Sequence, residues 1–579
     1  MEKVSKATKK NWKRLNVDEN KKKLEHRANK RMSKKRIVPV ELFNNKKNLK
    51  TITSYIEYIY ENYNIKTDIE KIMRTFCIKW LIQNGLLSDS FIATKSNIVE
   101  FIKENNDVYI DLLQYKLPSD EDDILGIIYQ CLQLEGDKNK QGAYYTPKII
   151  VNKMITDMEI GEDTKILDPC CGTGTFLVES NLKNPENLWG VDIDKIAVMI
   201  AKVNLFIKYK EIDFTPNIYV YDYLNENMEF LEKEHFDYII TNPPWGADVE
   251  YISNTFFPEI QSGESFSYML IKSSRILKKG GRLIFLLPES FLNVKLHIDI
   301  RKYLITRMQI DKIILYPSNF SGVLTKFISI NVIKNELNDY EFRITNLEEE
   351  FLEKTEDIKN TPNWVITKTN EIDKQILKKV YSGEYNTLNN SIWALGIVTG
   401  NNIEKLKKVA DENLEPIYTG KEISQYRLLP CKNYIEYKRE NFQQVAPDRI
   451  YRAKEKLVYK FISKNITFAY DNNKSLFLNS ANILIPNIEG MSIKTCMAFL
   501  NSDLFKFVYI KKFGEIKILK GNLMQLPFPI IDKNENIEIE KMVDEILNGD
   551  DEYKKLVNEK IYEIFGIDIE EIEYIEKII

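Results

Sequence analysis

Histidine is nearly absent: the 579-residue chain holds three, His26, His235 and His297. They lie too far apart for an HExxH-type site, so no histidine-built metal centre is expected. Six cysteines, of which only Cys170 and Cys171 are adjacent and none forms a C-x-x-C pair, make neither a disulfide framework nor a zinc cluster. A reducing compartment fits, and the cytoplasm is the expected location. No window approaches the run of about eighteen apolar residues that a spanning helix needs, and the basic N-terminus has no apolar stretch behind it. Neither membrane insertion nor secretion is expected, and no internal repeat is visible.

The chain is otherwise rich in what builds cores. Hydrophobic residues make up 44% and charged residues 29%, with 32 Tyr and 28 Phe. Burial on that scale offsets chain entropy, and at roughly 150 residues per domain the length predicts about three or four folded units. The net charge of -3 conceals an asymmetry. Residues 1–50 carry 18 Lys and Arg against 5 Asp and Glu, a balance of +13, which leaves -16 on the rest. Clusters such as Lys9, Lys10, Lys13 and Arg14, then Lys34, Lys35 and Arg36, suit phosphate contacts with counterion release, and suit a solvated tail equally well.

Apolar residues at three- and four-residue spacing predict helices over 51–135. From Lys165 the pattern changes to strand-length apolar runs, at 165–167, 188–191, 217–220, 238–240 and 282–287, separated by helix-length segments, the βαβ signature of a parallel sheet. The expected organisation is a basic arm over 1–50, a helical N-terminal domain over 51–135 and an α/β, Rossmann-like catalytic domain over 136–345. An acidic linker over 346–390, an α+β domain over 391–530 and a helical tail over 531–579 complete it.

Ligands of open α/β sheets bind beyond the carboxyl ends of the strands. The loop after the first expected strand is Asp168-Pro169-Cys170-Cys171-Gly172-Thr173-Gly174-Thr175-Phe176. Two glycines spaced by one residue let the backbone turn sharply beside a ligand, and Pro169 stiffens the entry. The loop is not GxGxxG, which disfavours a dinucleotide. The second strand ends in Asp192, Ile193 and Asp194 and the third in Tyr221, Asp222 and Tyr223. Each acid alone reads as a helix cap or loop residue; three on one edge favour a nucleoside without phosphates, its ribose diol held by Asp192.

The fourth strand runs into Thr241-Asn242-Pro243-Pro244-Trp245. An exocyclic amine is a poor nucleophile because its lone pair is delocalised into the ring. Two acceptors, the Asn242 side-chain oxygen and the Pro243 carbonyl, held by the stiff Pro243-Pro244 pair, would localise it. Trp245 offers a face on which a flipped base gains roughly 1–3 kcal/mol.

These residues resemble a family. Asp168-Pro169-x-x-Gly172-x-Gly174-x-Phe176 is similar to the S-adenosyl-L-methionine loop of DNA adenine methyltransferases, and Asn242-Pro243-Pro244-Trp245 to the Asp/Asn/Ser-Pro-Pro-aromatic signature of amino-group methyltransferases, with Trp where Tyr or Phe is commoner. The resemblance implies that Asp192, with Ile193 beside it, holds the cofactor ribose and Asp222 the cofactor adenine. It also implies that Tyr145, Thr146 and Pro147, within Gly142-Ala143-Tyr144-Tyr145-Thr146-Pro147, cover the methionine end. Asn242 then belongs to both cofactor and catalytic sets. Phe327, with Phe320 as the other candidate, would pack on the second face of the target base.

Glutamine and RNA methyltransferases share the Asn-Pro-Pro-aromatic motif but do not need residues 391–579, whereas a DNA enzyme that reads sequence needs a module for base edges. The order of cofactor loop, catalytic loop and C-terminal module resembles the γ class of DNA adenine methyltransferases. Segments such as Trp393 to Asn402, Pro416 to Ile423, Glu455 to Lys460, Leu500 to Ser502 and Gln525 to Pro527 are similar to a TaqI-like specificity domain. Thr399, Lys421, Lys456, Lys460 and Lys464 are candidates for contacts to the DNA backbone. The resemblance implies double-stranded DNA as substrate, a monomer acting on it and a separately encoded restriction endonuclease. Two alternatives stand: an N-terminal nuclease built around Asp68, Glu70 and Lys71, and a non-catalytic DNA-binding relative of the same fold.

Overall fold

The strand-length apolar runs are buried on both sides. Leu167, Val191, Ile239, Leu283 and Phe285 enter one core while Ile166, Leu188, Ile240, Ile284 and Leu286 enter another, the two-residue alternation of a sheet covered on both faces. The computed structural model describes residues 43, 45–88, 90, 92–93, 95–133, 146–225, 228–245, 257–317, 326–346, 349–463, 465–513 and 518–579. The basic clusters of the arm, Gly142 to Tyr145, Phe320 and Lys464 lie outside the described residues.

Nine strands form the main sheet: β1 Ile166–Asp168, β2 Leu188–Asp192, β3 Asn217–Val220, β4 Phe236–Thr241, β5 Leu277–Pro288, β6 Gln309–Leu315, β7 Phe327–Ile333, β8 Glu341–Thr345 and β9 Glu350–Lys354. Their order is β3-β2-β1-β4-β5-β7-β6-β8-β9. The first five run parallel, and β7 lies antiparallel to both β5 and β6. Strand order reverses between β1 and β4, which opens a crevice at their carboxyl ends.

The described residues fall into two units, 43–366 and 367–579. The helices over 51–135 are not a separate domain. Ile52, Ile56 and Ile59 of the helix Lys46–Asn62, and Ile72, Phe76 and Leu81 of the helix Ile65–Gln83, share one core with Ile166, Leu188 and Ile200. A parallel sheet needs both faces covered, and these helices cover one of them.

Residues 346–390, expected as a linker, are structured on both sides of the boundary between the units. Strand β9 buries Phe351 and Glu353 in alternation with exposed Glu350, Leu352 and Lys354, the two-residue period of an edge strand. The helix Glu371–Val380 buries Ile376 and Val380 in the core of the second unit. That unit pairs Ile392–Leu395, Ala481–Ile485, Lys456–Lys460 and Phe468–Asp471 in an antiparallel sheet, with a smaller sheet of Tyr434–Ile435, Glu415–Tyr418 and Leu476–Phe477.

Residues 531–579 are no appended tail. Val543, Ile561 and Ile575, from the helices Lys533–Asn548, Tyr553–Phe565 and Ile569–Ile578, join Leu457 and Phe499 in one core. Ile561→Ala should therefore cost about 2–5 kcal/mol in urea unfolding of that unit. A tail that folds apart from it would leave the main transition in place.

Candidate functional site

The loop after β1 turns on two glycines in the left-handed region, Gly172 at φ 51° and Gly174 at φ 86°. A Cβ at Gly174 would stand 3.2 Å from the Ala201 Cβ, so the loop is pressed against the helix Lys195–Lys208. Cys171 N–H donates to the Val191 carbonyl at 2.9 Å, and Gly172 N–H to Asp192 Oδ2 at 2.8 Å. Phe176, expected on the cofactor side, instead points down into the core at 4% exposure. As the second residue of the short helix Thr175–Glu179 it anchors the loop from beneath.

Two acids close the crevice. Burial pushes the Asp192 carboxyl up to about 6, against the N–H groups of Asp194 and Gly172 that hold its ionised form. Asp168 is fully buried and pushed up to about 7 for the same reason. The nearby Thr241 hydroxyl and the Cys170 N–H, 3.1 Å from Oδ1, pull the other way. Thr241 falls short of hydrogen-bond geometry, and Asp168 Oδ2 and Thr241 Oγ1 have no hydrogen-bond partner among the described residues. Asp222, past the end of β3, accepts from the N–H of Leu224 at 3.0 Å and of Asn225 at 3.1 Å. Ile193, between Asp192 and Asp194, is 69% exposed, an apolar side chain held out at the strand end.

Strand β4 delivers Asn242, Pro243, Pro244 and Trp245 to the same edge, and each tie leads to a different element. Asn242 Nδ2 donates to Thr146 Oγ1 at 3.1 Å, just ahead of Pro147, which starts the helix Lys148–Ile155. That bond orients the amide. Ser265 Oγ donates to the Pro244 carbonyl, and Trp245 Nε1 donates to the Leu286 carbonyl of β5 at 3.1 Å.

Phe327 does not face Trp245 across a gap. It is 3% exposed, stacked on Tyr316 at 5.3 Å, and its ring centroid lies 6.4 Å from that of Trp245 at 30°. Rings at that separation are an aromatic pair in contact, with no room for a base between them. Placement at the first position of a central strand carries Phe327 into the core, where it backs Trp245.

The segment Asp123 to Tyr129 is also typical of the family that the motifs resemble, but sequence reasoning gave no role to four residues that brace this site: Asp123, Tyr129, Asn204 and Ser265. Asp123 N-caps the helix Ile124–Leu132 and accepts from Thr173 Oγ1 of the glycine loop. Its one legible signal is Gly126, where a Cβ would stand 2.1 Å from Asp123 Oδ2. Asp68, Glu70 and Lys71 all lie on the helix Ile65–Gln83. There Asp68 caps the first turn, Glu70 pairs with Arg74 and Lys195, and Lys71 with Asp107. Ion pairing within a helical surface, not a nuclease centre, accounts for them.

In the second unit Lys456 is fully buried, ion-paired with Asp471, and donates to the Tyr451 carbonyl at 2.7 Å. Thr399 is 3% exposed and donates to Asn402. Neither reaches solvent, which corrects the expectation of phosphate contacts. Lys421 and Lys460 do line an open cleft of about 740 Å³, together with Lys408, Lys432, Ile462 and Ser480. Its acid, Glu422, is 4% exposed and spent on a capping box with Thr419. Among the described residues Lys421, Lys432 and Lys460 pair with no carboxylate.

Residues 120–383 match the N-6 DNA methylase family, and residues 415–528 match the TaqI-like C-terminal specificity domain. Over residues 120–383 the chain is similar to the N-6 DNA methylases. The type II methyltransferase M.VspI of Vibrio sp. (strain 343) is 29% identical over 370 residues, covering 59% of this chain and 88% of that protein. The type I restriction enzyme MjaVII methylase subunit of Methanocaldococcus jannaschii is 30% identical over 240 residues, 37% of this chain and 40% of its own length. In fold, the type IIL restriction-modification enzyme MmeI, solved in complex with DNA, matches with a TM-score of 0.55 at 12% identity, covering 93% of each chain.

The cofactor of this methylase is S-adenosylmethionine, and the crevice fits it. A sulfonium, an ammonium and a ribose diol call for acceptors and carboxylates, and the crevice supplies Asp192, Asp222 and the unpartnered Oδ2 of Asp168. When bound, the cofactor supplies an electrophilic methyl group. Among the described residues no group of three or more His, Cys, Asp or Glu is placed to hold a metal.

The raised acids set a pH dependence. A carboxyl at about 6 is ionised above that pH and protonated below it, so an interaction that needs Asp192 as carboxylate is complete at pH 8 and lost as pH falls through about 6. Calorimetric affinity for S-adenosylhomocysteine should therefore drop between pH 8 and pH 5. Asp192→Asn should weaken it at least about tenfold at pH 8 and flatten the acid limb.

Proposed function

We propose that this methylase transfers a methyl group to the N6 of an adenine flipped out of duplex DNA, at a sequence read by its C-terminal specificity domain. The observation that carries the reading is the bracing of the four residues after β4: Asn242 is oriented by Thr146 and Trp245 is pinned to β5. In that arrangement the Asn242 Oδ1 and the Pro243 carbonyl accept from the target amino group, draw its lone pair out of the ring and aim it at the methyl donor. Trp245 supports the base on one face. The amine proton leaves after the nitrogen has become cationic, so no strong general base is needed. Asp192 and Ile193 hold ribose and adenine of the cofactor, Asp222 accepts from the adenine amino group, and Thr146 and Pro147 border the methionine end.

The relatives named above support a restriction-modification setting; within it our reading is a cytoplasmic enzyme that acts on DNA as a monomer beside a separately encoded endonuclease. No observation favours an N-terminal nuclease. Methyl transfer to duplex DNA, followed by mapping of the modified base, tests the activity. Asn242→Ala should lower kcat at least about a hundredfold while cofactor binding persists, since an acceptor needed only in the transition state is lost. Undiminished transfer by that variant would remove the proposed role of Asn242.

The lysine cleft is our candidate for phosphate contact by the specificity domain. Replacing Lys421, Lys432 and Lys460 together with Ala should reduce the slope of log K for DNA against log salt by about 2 to 3 and leave cofactor affinity unchanged. An unaltered slope would place the phosphate contacts elsewhere on the chain.

A further inference from the structure

The helix Ile124–Leu132 is buried along its whole length, and its N-cap Asp123 and its Tyr129 hydrogen-bond outside the apolar core. At its N-cap, Asp123 Oδ2 accepts from the Thr173 hydroxyl and Oδ1 accepts from Asn204 Nδ2 at 3.0 Å. Asn204 also donates to the Thr173 carbonyl at 3.0 Å, so both ends of that glycine-loop residue are held. Further along, Tyr129 Oη donates to Asp194 Oδ2 at 2.6 Å. Asp194 caps the helix Lys195–Lys208 with its other oxygen and donates its backbone N–H to Asp192 at 2.9 Å. Asp192 in turn accepts from Gly172 at 2.8 Å.

The contacts form a closed ring. It runs from Asp123 to Thr173, along the glycine loop to Gly172, across to Asp192 and Asp194, and through Tyr129 back to the starting helix. Only a glycine at position 126 lets the Asp123 carboxylate fold over its own helix, since a Cβ there would stand 2.1 Å from Oδ2. Burial raises the Asp123 carboxyl above its ordinary range, against the Thr173, Gly126 and Asn204 donors that pull it down, and burial together with the Asp194 carboxylate raises the Tyr129 hydroxyl.

We infer that the helix Ile124–Leu132 is a positioning clamp for S-adenosylmethionine. Through Asp123 and Tyr129 it sets the distance between the glycine loop and the ribose-binding turn before the cofactor arrives. Neither residue is placed among the groups that touch the ligand; they act by holding the turns that do. Preorganisation of this kind raises affinity because the ordering cost is met in the free protein. The inference rests on the assignment of the cofactor and not on which base receives the methyl group.

The test is calorimetric binding of S-adenosylhomocysteine to the full chain, which reads the clamp without methyl transfer. Thr173→Val removes the hydroxyl at constant shape and should weaken binding about three- to tenfold, whereas Thr173→Ser keeps it and should stay within about twofold of the parent. Tyr129→Phe should weaken binding by a similar factor. Because one break opens the ring, the double variant should lose less than the product of the two singles. In turnover assays KM for the cofactor should rise with little change in kcat. Equal losses in the Ser and Val variants would show a packing role and overturn the clamp, as would unchanged affinity in both Val and Phe variants. A parent chain that fails to bind S-adenosylhomocysteine would instead overturn the cofactor assignment itself.

Discussion

A carboxylate at the end of β2 holds the site together. Asp192 receives one backbone N–H from the glycine loop and one from its own turn, so the two segments share an anchor. Burying a carboxylate is costly, and two N–H donors offset part of that cost. The rest shows as a raised pKa, and Asp168 close by is raised further. Among the described residues the crevice is therefore rich in acid before any ligand enters. A phosphate group would add like charge to it, while a sulfonium, an ammonium and a diol relieve it. Ligand class follows from electrostatics here as much as from the shape of the loop.

The two sites use opposite strategies. After β4, Asn242, Pro244 and Trp245 are tied to three different elements, by Thr146, Ser265 and Leu286. Chemistry on an amine depends on where two acceptors point, and such geometry must exist before the substrate arrives. In the cleft of the second unit, Lys421 and Lys432 are exposed on long stems and paired with no carboxylate among the described residues. An ammonium on a flexible chain suits phosphates whose positions shift from one DNA step to the next, where rigid placement gains little.

Much of the catalytic unit was legible because its signals are local. The third strand is where the sequence places it, Asn217–Val220, and the first, second, fourth and fifth differ only at their ends. Buried parallel strands must be apolar throughout, and that pattern survives in one dimension. Failures came where a residue type serves two environments. Lys456 reads as a surface cation, yet a strand with both faces covered and Asp471 opposite make it an internal pair. Phe327 reads as a base-facing aromatic, yet the first position of β7 takes it inward. Asp123 could be given no role from sequence because its partners, Thr173 and Asn204, lie 50 and 81 residues away. The apparent linker failed for a similar reason: an acidic edge strand and a loop have the same composition, and only the alternation of Phe351 and Glu353 separates them.

The extent of the catalytic unit follows from packing, not from the motif-bearing segment alone. The family match begins at residue 120, but the core beneath the sheet does not. Ile52, Ile72, Phe76 and Leu81 pack in the same cluster as Ile166 and Ile200, on the face that a parallel sheet cannot leave to water. The helix that carries Asp123 and Tyr129 is buried on all sides, and its neighbours on the outside are those earlier helices. Strip them away and the helix tied to Thr173 and Asp194 becomes a surface helix with an apolar exterior, free to fray from the end where Asp123 sits. The geometry of residues 172–194 is thus underwritten by apolar contacts that begin more than a hundred residues upstream, at the helix Lys46–Asn62.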